Sequence, residues 1–353
     1  MVARTIPSHA NIRLLAKKNL GDLLEVLGRW GTVYAPVEKQ PDVYTFAETT
    51  DLSAIALGYL RTALPPKRFM YPPEERLYNF TLSKGFEEPP QSEDRQILFG
   101  VHPCDIHAFS ILDLVFAGPY PEPRYFKRRR RTAIIGLDCL PDVNCFCYSM
   151  DTDSVERGFD LFLTDIGEDY FVRVGSSWGE EVVRACKDLF TGLKEGSIEE
   201  YKRRADARSR MFESHVEMSD MPQIMELEFS NPLWEELGEK CLSCGSCSIV
   251  CPTCYCYDII DQFDLKGDSG SRTRRWDSCL FKEFAQVAGF NFRQDRSTRV
   301  KLRYYHKQIA FVEEYGRSSC VGCGRCIETC PAKINIIEVL NEIRGKKVMS
   351  HAG

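Results

Sequence analysis

The run Cys241-Leu-Ser-Cys244-Gly-Ser-Cys247-Ser-Ile-Val-Cys251-Pro252 returns downstream as Cys320-Val-Gly-Cys323-Gly-Arg-Cys326-Ile-Glu-Thr-Cys330-Pro331. No other feature restricts the chain so strongly. Cysteines three residues apart on a tight loop bring their thiolates together at little cost in chain entropy, which suits a cubane of iron and sulfide. In the C-x2-C-x2-C-x3-C-P spacing, three thiolates hold one cluster and the fourth reaches across to another. The rule assigns Cys241, Cys244 and Cys247 with Cys330 to one [4Fe–4S] cluster, and Cys320, Cys323 and Cys326 with Cys251 to a second. Pro252 and Pro331 end each turn and redirect the fourth cysteine. Zinc also takes four thiolates, but zinc ribbons use two cysteine pairs and have no need of four in one run.

At 353 residues the chain is far longer than two clusters require, so most of it serves another purpose. Its composition, 43% hydrophobic and 27% charged, is that of an ordinary soluble protein, and no apolar run is long enough to span a bilayer. No signal-peptide core or transit segment opens it. Sixteen cysteines in a chain of this size and type point to reduced, metal-binding thiolates in the cytoplasm rather than to a disulfide framework. A net charge of −5 gives no general attraction to nucleic acid or to a membrane.

The spacing of Leu14, Leu15, Leu20, Leu23, Leu24 and Leu27 predicts a helix over Asn11 to Trp30, followed by a strand over Thr32 to Val37. Ile97 to Val101 and Ala133 to Leu137 read as buried strands. The amphipathic stretch from Ile106 to Phe116 lies between them, giving a parallel strand–helix–strand unit. Gly158 to Val174 reads as a strand pair turning at Gly167, and Glu180 to Arg210 as charged helix. Asn231-Pro232 starts a helix before the first cysteine run. Residues 252–319 separate the two runs, and Phe281 to Ala288 and His306 to Tyr315 fit helices there. The fold class expected is α+β and multidomain. An N-terminal α/β domain spans 1–155, a strand pair with a charged helical extension 156–230, and an α-helical ferredoxin-like dicluster domain 231–353.

A second group of cysteines comprises Cys104, Cys139, Cys145 and Cys147. Cys104 and Cys139 each follow a strand of the parallel unit, and carboxyl ends of neighbouring strands are where open sheets bind cofactors. Cys145-Phe-Cys147 puts two thiols on one side of an extended stretch. A third [4Fe–4S] cluster is expected here, against the alternative of four small buried apolar side chains. Cys254, Cys256 and Cys279 fall one thiolate short of a cubane. They either pack around the second cluster and tune it, or hold an unusual cluster with a ligand from elsewhere. Cys186 reads as core. The basic run Lys127 to Arg131 reads as a surface loop, and His102, His107 and His306 as structural residues. There is no G-x-G-x-x-G after a strand, no P-loop and no haem-attachment motif, so no flavin or nicotinamide is expected in this chain.

With these motifs in view, the chain resembles the iron–sulfur β subunits of cytosolic sulfhydrogenases and the corresponding iron–sulfur subunits of anaerobic sulfite reductases. The likeness runs along most of its length. It is carried by Leu64-Pro-Pro-Lys67, Gly100-Val-His-Pro-Cys-Asp-Ile-His107, Cys145-Phe-Cys147, Gly158-Phe-Asp-Leu161, Cys251-Pro-Thr-Cys-Tyr-Cys256, Arg275-Trp-Asp-Ser-Cys279 and Tyr305-His-Lys307. The resemblance implies an electron relay beside a flavin-containing, NAD(P)-binding subunit and a separate hydrogenase or reductase catalytic subunit. Cys104, Cys139, Cys145 and Cys147 match positions where the family also has cysteines. No catalytic residue of this chain is implied. The alternative is a reductase in its own right, with an active cluster near Cys254, Cys256 and Cys279 acting on a disulfide or sulfur substrate. A redox-sensing, nucleic-acid-binding protein has only the basic run in its favour.

Overall fold

The computed structural model describes residues 11–265 and 267–345. The chain divides into two compact units whose segments interleave along the sequence. The first comprises Met1–Pro66, Asp94–Ser214 and Val321–Cys323; the second comprises Lys67–Glu93, His215–Cys320 and Gly324–Gly353.

The first unit is built on an eight-stranded mixed sheet. Its strands run in the order Phe190–Thr191, Ile12–Ala16, Asp169–Val174, Leu161–Asp165, Thr132–Leu137, Gln96–Val101, Thr32–Gln40 and Val43–Glu48. Four central strands are parallel, pairing Thr32–Gln40 with Gln96–Val101, the latter with Thr132–Leu137, and that with Leu161–Asp165. The near-continuous apolar character of Gln96–Val101 and Thr132–Leu137 follows from burial on both faces. The helix Pro103–Phe116 makes the expected crossover between two of them, with Pro103 preset for the first helical position. The expected strand pair is Leu161–Asp165 with Asp169–Val174. Leu24, Phe99, Ile135, Leu161 and Leu163 are all fully buried in one core. Each such side chain stabilises the fold by about 1.5–3 kcal/mol relative to exposure.

Three elements of this unit differ from the sequence expectation. The helix expected over Asn11 to Trp30 forms only at Leu20–Gly28, and Ile12–Ala16 is a strand. That strand pairs with Asp169–Val174 on one side and Phe190–Thr191 on the other. Extended backbone sends Leu15 into the main core and Ile12 and Leu14 into a second one, a division that adjacent helical leucines cannot make. Lys127 to Arg131 is not a loop but the end of the helix Pro123–Arg131, where the arginines face the negative end of the helix dipole. Its start is held by Glu122, whose side chain accepts from the Arg124 N–H, and by Tyr125 packed 4.4 Å from Phe116. Glu180 to Arg210 contains two helices, Ser177–Ala185 and Ser197–Ser209, separated by the edge strand Phe190–Thr191.

The second unit pairs helices with a four-stranded antiparallel sheet, ordered Tyr257–Phe263, Ser269–Trp276, Glu74–Thr81 and Gly85–Glu87. The helix Leu233–Lys240 begins as expected, with the Asn231 side chain accepting from the Leu233 N–H at 2.8 Å. It crosses Arg296–Tyr305, with Trp234 and Tyr304 rings 5.7 Å apart. That second helix passes through a π-turn at His306–Ala310 into Phe311–Tyr315, so His306 to Tyr315 is helical as expected. Phe281 to Ala288 is not a continuous helix. It holds a single turn at Glu283–Ala285 and then the two-residue strand Gln286–Val287, paired with Phe290–Asn291. Gly289, with positive φ, supplies the hairpin turn that competes with helix. Between the two cysteine runs the chain thus holds two β-hairpins, Tyr257–Phe263 with Ser269–Trp276 and Gln286–Val287 with Phe290–Asn291, as well as helices, so the domain expected to be α-helical is mixed.

Candidate iron–sulfur centres

In the first unit, Cys104 occupies the first turn of the helix Pro103–Phe116, immediately after the strand Gln96–Val101, and Cys139 follows the strand Thr132–Leu137. These strands are parallel neighbours, so their carboxyl ends open side by side. The loop carrying Cys145 and Cys147 closes over that end. The Cys147 thiol is hydrogen-bonded with those of Cys104 and Cys145, and Cys139 lies in the field of Cys104 and Cys145. The structure brings all four thiols to one place.

Their electrostatics is that of like charges sharing a site. Burial, reinforced by Cys104, pushes the Cys139 thiol up, and hydrogen bonds with Cys104 and Cys145 push Cys147 up. The Cys147 hydrogen bond holds Cys145 down, assisted by the Arg61 guanidinium, which donates to the Cys145 sulfur at 3.3 Å. One thiolate is favoured at the expense of its neighbours. A cationic inorganic core would let all four ionise together, so this donor set fits an iron–sulfur cluster. Two arginines complete the surround. Arg61 pairs with Asp142, and Arg208 pairs with Asp138 at 3.0 Å and Asp153 at 3.4 Å.

Part of the second cysteine run is built into this unit, which no sequence signal indicated. The Phe146 N–H donates to the Gly322 carbonyl at 2.9 Å, and the Thr152 hydroxyl to the Val321 carbonyl at 2.7 Å. Gly322 has a φ of +63°, and a Cβ there would lie 2.6 Å from both the Cys147 nitrogen and the Phe146 carbonyl carbon. Only glycine permits this approach without displacing backbone. Cys323 belongs to the same three-residue segment.

In the second unit, one cavity is lined by Cys241, Cys244, Cys247, Cys326 and Cys330, together with Arg303, Leu242, Leu280, Val300, Tyr304, Ile334 and Ile336. Four of these five cysteines are the set that the spacing rule assigns to one cluster, and the fifth, Cys326, belongs to the other set. The short helix Ser246–Ile249 follows Gly245, whose positive φ turns the loop, and delivers Cys247. Burial pushes Cys247 up, while the Ser246 hydroxyl holds Cys244 down. Cys326 is pushed up to about 12 by burial, with Cys320, Cys247 and Cys251 adding to the rise. The structure therefore gathers Cys251, Cys320 and Cys326 of the second expected set within this unit.

Cys254, Cys256 and Cys279 also lie within this unit, in two contacts. Cys254 is hydrogen-bonded with Cys251, and Cys256 with Cys279. The Cys256 contact holds Cys279 down to about 6, helped by Arg303, Lys307 and Arg293. Cys186 sits just past the helix Ser177–Ala185 in the main core, where burial pushes it up to about 11. His102 stacks on Tyr59 with ring centroids 4.0 Å apart, His107 contacts the Ser154 carbonyl at 2.8 Å, and His306 contacts the Tyr255 hydroxyl at 3.1 Å. Among the described residues, no three His, Cys, Asp or Glu side chains close tightly enough to hold a lone metal ion.

A 4Fe-4S dicluster domain family matches residues 240–334. Over 315 residues the chain is 40% identical to sulfhydrogenase 2 subunit beta of Pyrococcus furiosus, covering 89% of this chain and 92% of that protein. No helix among the described residues is long and apolar enough to cross a membrane. A mixed α/β architecture with a dicluster domain toward its C-terminus, and identity sustained across nearly all of both proteins, lead to one assignment. The chain belongs to the family of sulfhydrogenase beta subunits.

Proposed function

We propose that this chain is the iron–sulfur electron-transfer subunit of an oxidoreductase complex. It relays electrons between a flavin- and nicotinamide-binding partner and a hydrogenase or reductase catalytic subunit. The observation that carries the reading is the gathering of Cys104, Cys139, Cys145 and Cys147 in the first unit, and of Cys241, Cys244, Cys247 and Cys330 around one cavity in the second. Cys241, Cys244, Cys247 and Cys330 would hold one [4Fe–4S] cluster. Cys320, Cys323, Cys326 and Cys251 would hold a second, and Cys104, Cys139, Cys145 and Cys147 a third. Such clusters accept and release single electrons at potentials set by charge, hydrogen bonds and burial. The chain's own residues fix the thiolates, keep water from the first set with Leu280, Val300 and Ile336, and supply the nearby cations. Iron and sulfide per chain, measured after anaerobic reconstitution, test the reading: about twelve irons are expected for three clusters and about eight for two. Protein that takes up zinc and no iron would end it.

A second reading is favoured by the hydrogen-bonded thiols of Cys256 and Cys279. In it, Cys254, Cys256 and Cys279 hold a further centre that acts directly on a disulfide or sulfur compound. Selective perturbation of one spectroscopic signal by added substrate would support it, and unchanged spectra would leave the plain relay.

A further inference from the structure

Lys67, Arg303 and Lys307 are buried in the second unit, with 2%, 6% and 3% of their surface exposed. Among the described residues none of the three pairs with a carboxylate. The Lys67 ammonium donates to the Cys254 carbonyl at 2.6 Å and lies 4.1 Å from the centre of the Trp276 ring. Lys307, in the π-turn, donates to the Thr253 hydroxyl at 3.0 Å. Arg303 reaches the Cys247 carbonyl at 3.5 Å, and its Nε is buried without a hydrogen-bond partner. Neutral oxygens and a ring face do not balance three buried charges; burying an unpaired cation is strongly unfavourable. The counter-charge available is sulfur. Lys67 faces Cys254, Cys251 and Cys256; Lys307 faces Cys251, Cys254 and Cys320; Arg303 faces Cys247 and Cys326.

The first unit is arranged oppositely. The two arginines beside its four cysteines are matched by three aspartates, Asp142, Asp138 and Asp153. The ion-paired groups named there sum to −1, against +3 from Lys67, Arg303 and Lys307 in the second unit. A [4Fe–4S] core with four thiolates is anionic, and reduction adds one more negative charge. Cations nearby stabilise the reduced state more than the oxidised one and raise the potential, whereas a balanced or negative surround does not.

We propose that Lys67, Arg303 and Lys307 are potential-setting residues, which make the second unit's centres the high-potential end of this chain and leave the centre on Cys104, Cys139, Cys145 and Cys147 as its low-potential station. This rests on the reading that each thiol set holds a cluster. Electron transfer from the first set to the second is then downhill.

The test is a potentiometric titration of the anaerobically reconstituted full chain, followed by electron paramagnetic resonance. Signals are assigned by their loss in Cys104→Ser and Cys241→Ser. In the unsubstituted protein the signal lost in Cys104→Ser should titrate at the lowest potential. Lys307→Gln should lower the reduced-to-oxidised ratio of one second-unit centre about tenfold at a fixed potential, a shift of about 59 mV for one electron. Lys307→Arg should restore it, and the first-unit signal should stay in place. An unmoved midpoint in Lys307→Gln at full iron content overturns the proposal, as does a first-unit centre that titrates highest. Iron loss confined to Lys307→Gln would show a structural role instead and count against it. Failure of the underlying reading is separate: Cys104→Ser would then remove no iron.

Discussion

Gly322 offers the most direct test of how the first unit is assembled. Replacing it with alanine adds two costs. Its φ of +63° is unfavourable for a residue with a Cβ, by about 1–2 kcal/mol. The new methyl would also lie 2.6 Å from the Phe146 and Cys147 backbone, which cannot swing aside as a side-chain tip can. Overpacking of this kind costs about 1–3 kcal/mol. The expected destabilisation is therefore about 2–5 kcal/mol. Gly196 provides the control within the same unit, because its φ is +80° but a Cβ there would meet no atom within 4 Å. Gly196→Ala should show the conformational cost alone, so the two variants should differ by about 1–3 kcal/mol. Anaerobic chemical denaturation of the apoprotein measures the difference, and iron content after reconstitution reports the site. Gly322→Ala is expected to lose about four irons while Gly196→Ala retains them. Equal stabilities of the two variants would refute the steric argument. Full iron in Gly322→Ala would show that the loop around Cys147 does not depend on that close approach.

Arg208→Met removes the ion pairs to Asp138 and Asp153 beside the first-unit thiols, and iron analysis should show loss from that set with the other proposed clusters retained. Glu75→Gln breaks a buried ion pair in the second unit's sheet, where Arg274 and Glu75 lie 2.6 Å apart. Denaturation should register a loss of about 3–5 kcal/mol, whereas replacing both partners with apolar residues of similar volume should cost far less. Leu340→Ala, at a fully buried position of the helix Ile336–Ile343, should cost about 2–5 kcal/mol by the same measurement.

Local pattern made the central parallel strands, the crossover helix and the turn at Gly167 legible in the sequence, because each is specified by residues within a short window. The placement of Cys104 and Cys139 beyond neighbouring strands followed from that topology. The strand Ile12–Ala16 was hidden because its partners are residues 169–174 and 190–191, and leucine spacing alone cannot separate two cores from one helical face. The pairing of Glu74–Thr81 with Ser269–Trp276 is equally remote in sequence. A division into successive segments has no means of expressing units that exchange pieces in this way. The cations around the second unit's thiols were invisible for another reason. Lys67 and Lys307 stand in segments that carry the family resemblance, but nothing in the sequence gave them or Arg303 a role until burial and the absence of matching carboxylates, among the described residues, gave their charge a meaning.

The three-residue segment Val321–Cys323 also bears on how the protein is made. A ribosome delivers residues 1–214 well before it reaches this segment, yet the loop holding Cys145 and Cys147 hydrogen-bonds to Val321 and Gly322. Until residues 215–320 have also emerged, that loop lacks its last neighbours, and the nascent N-terminal cysteines stand without their covering. Loading of the cluster proposed for that set would thereby wait on these downstream residues. A fragment ending near Ser214 would lack a structural piece of its own unit.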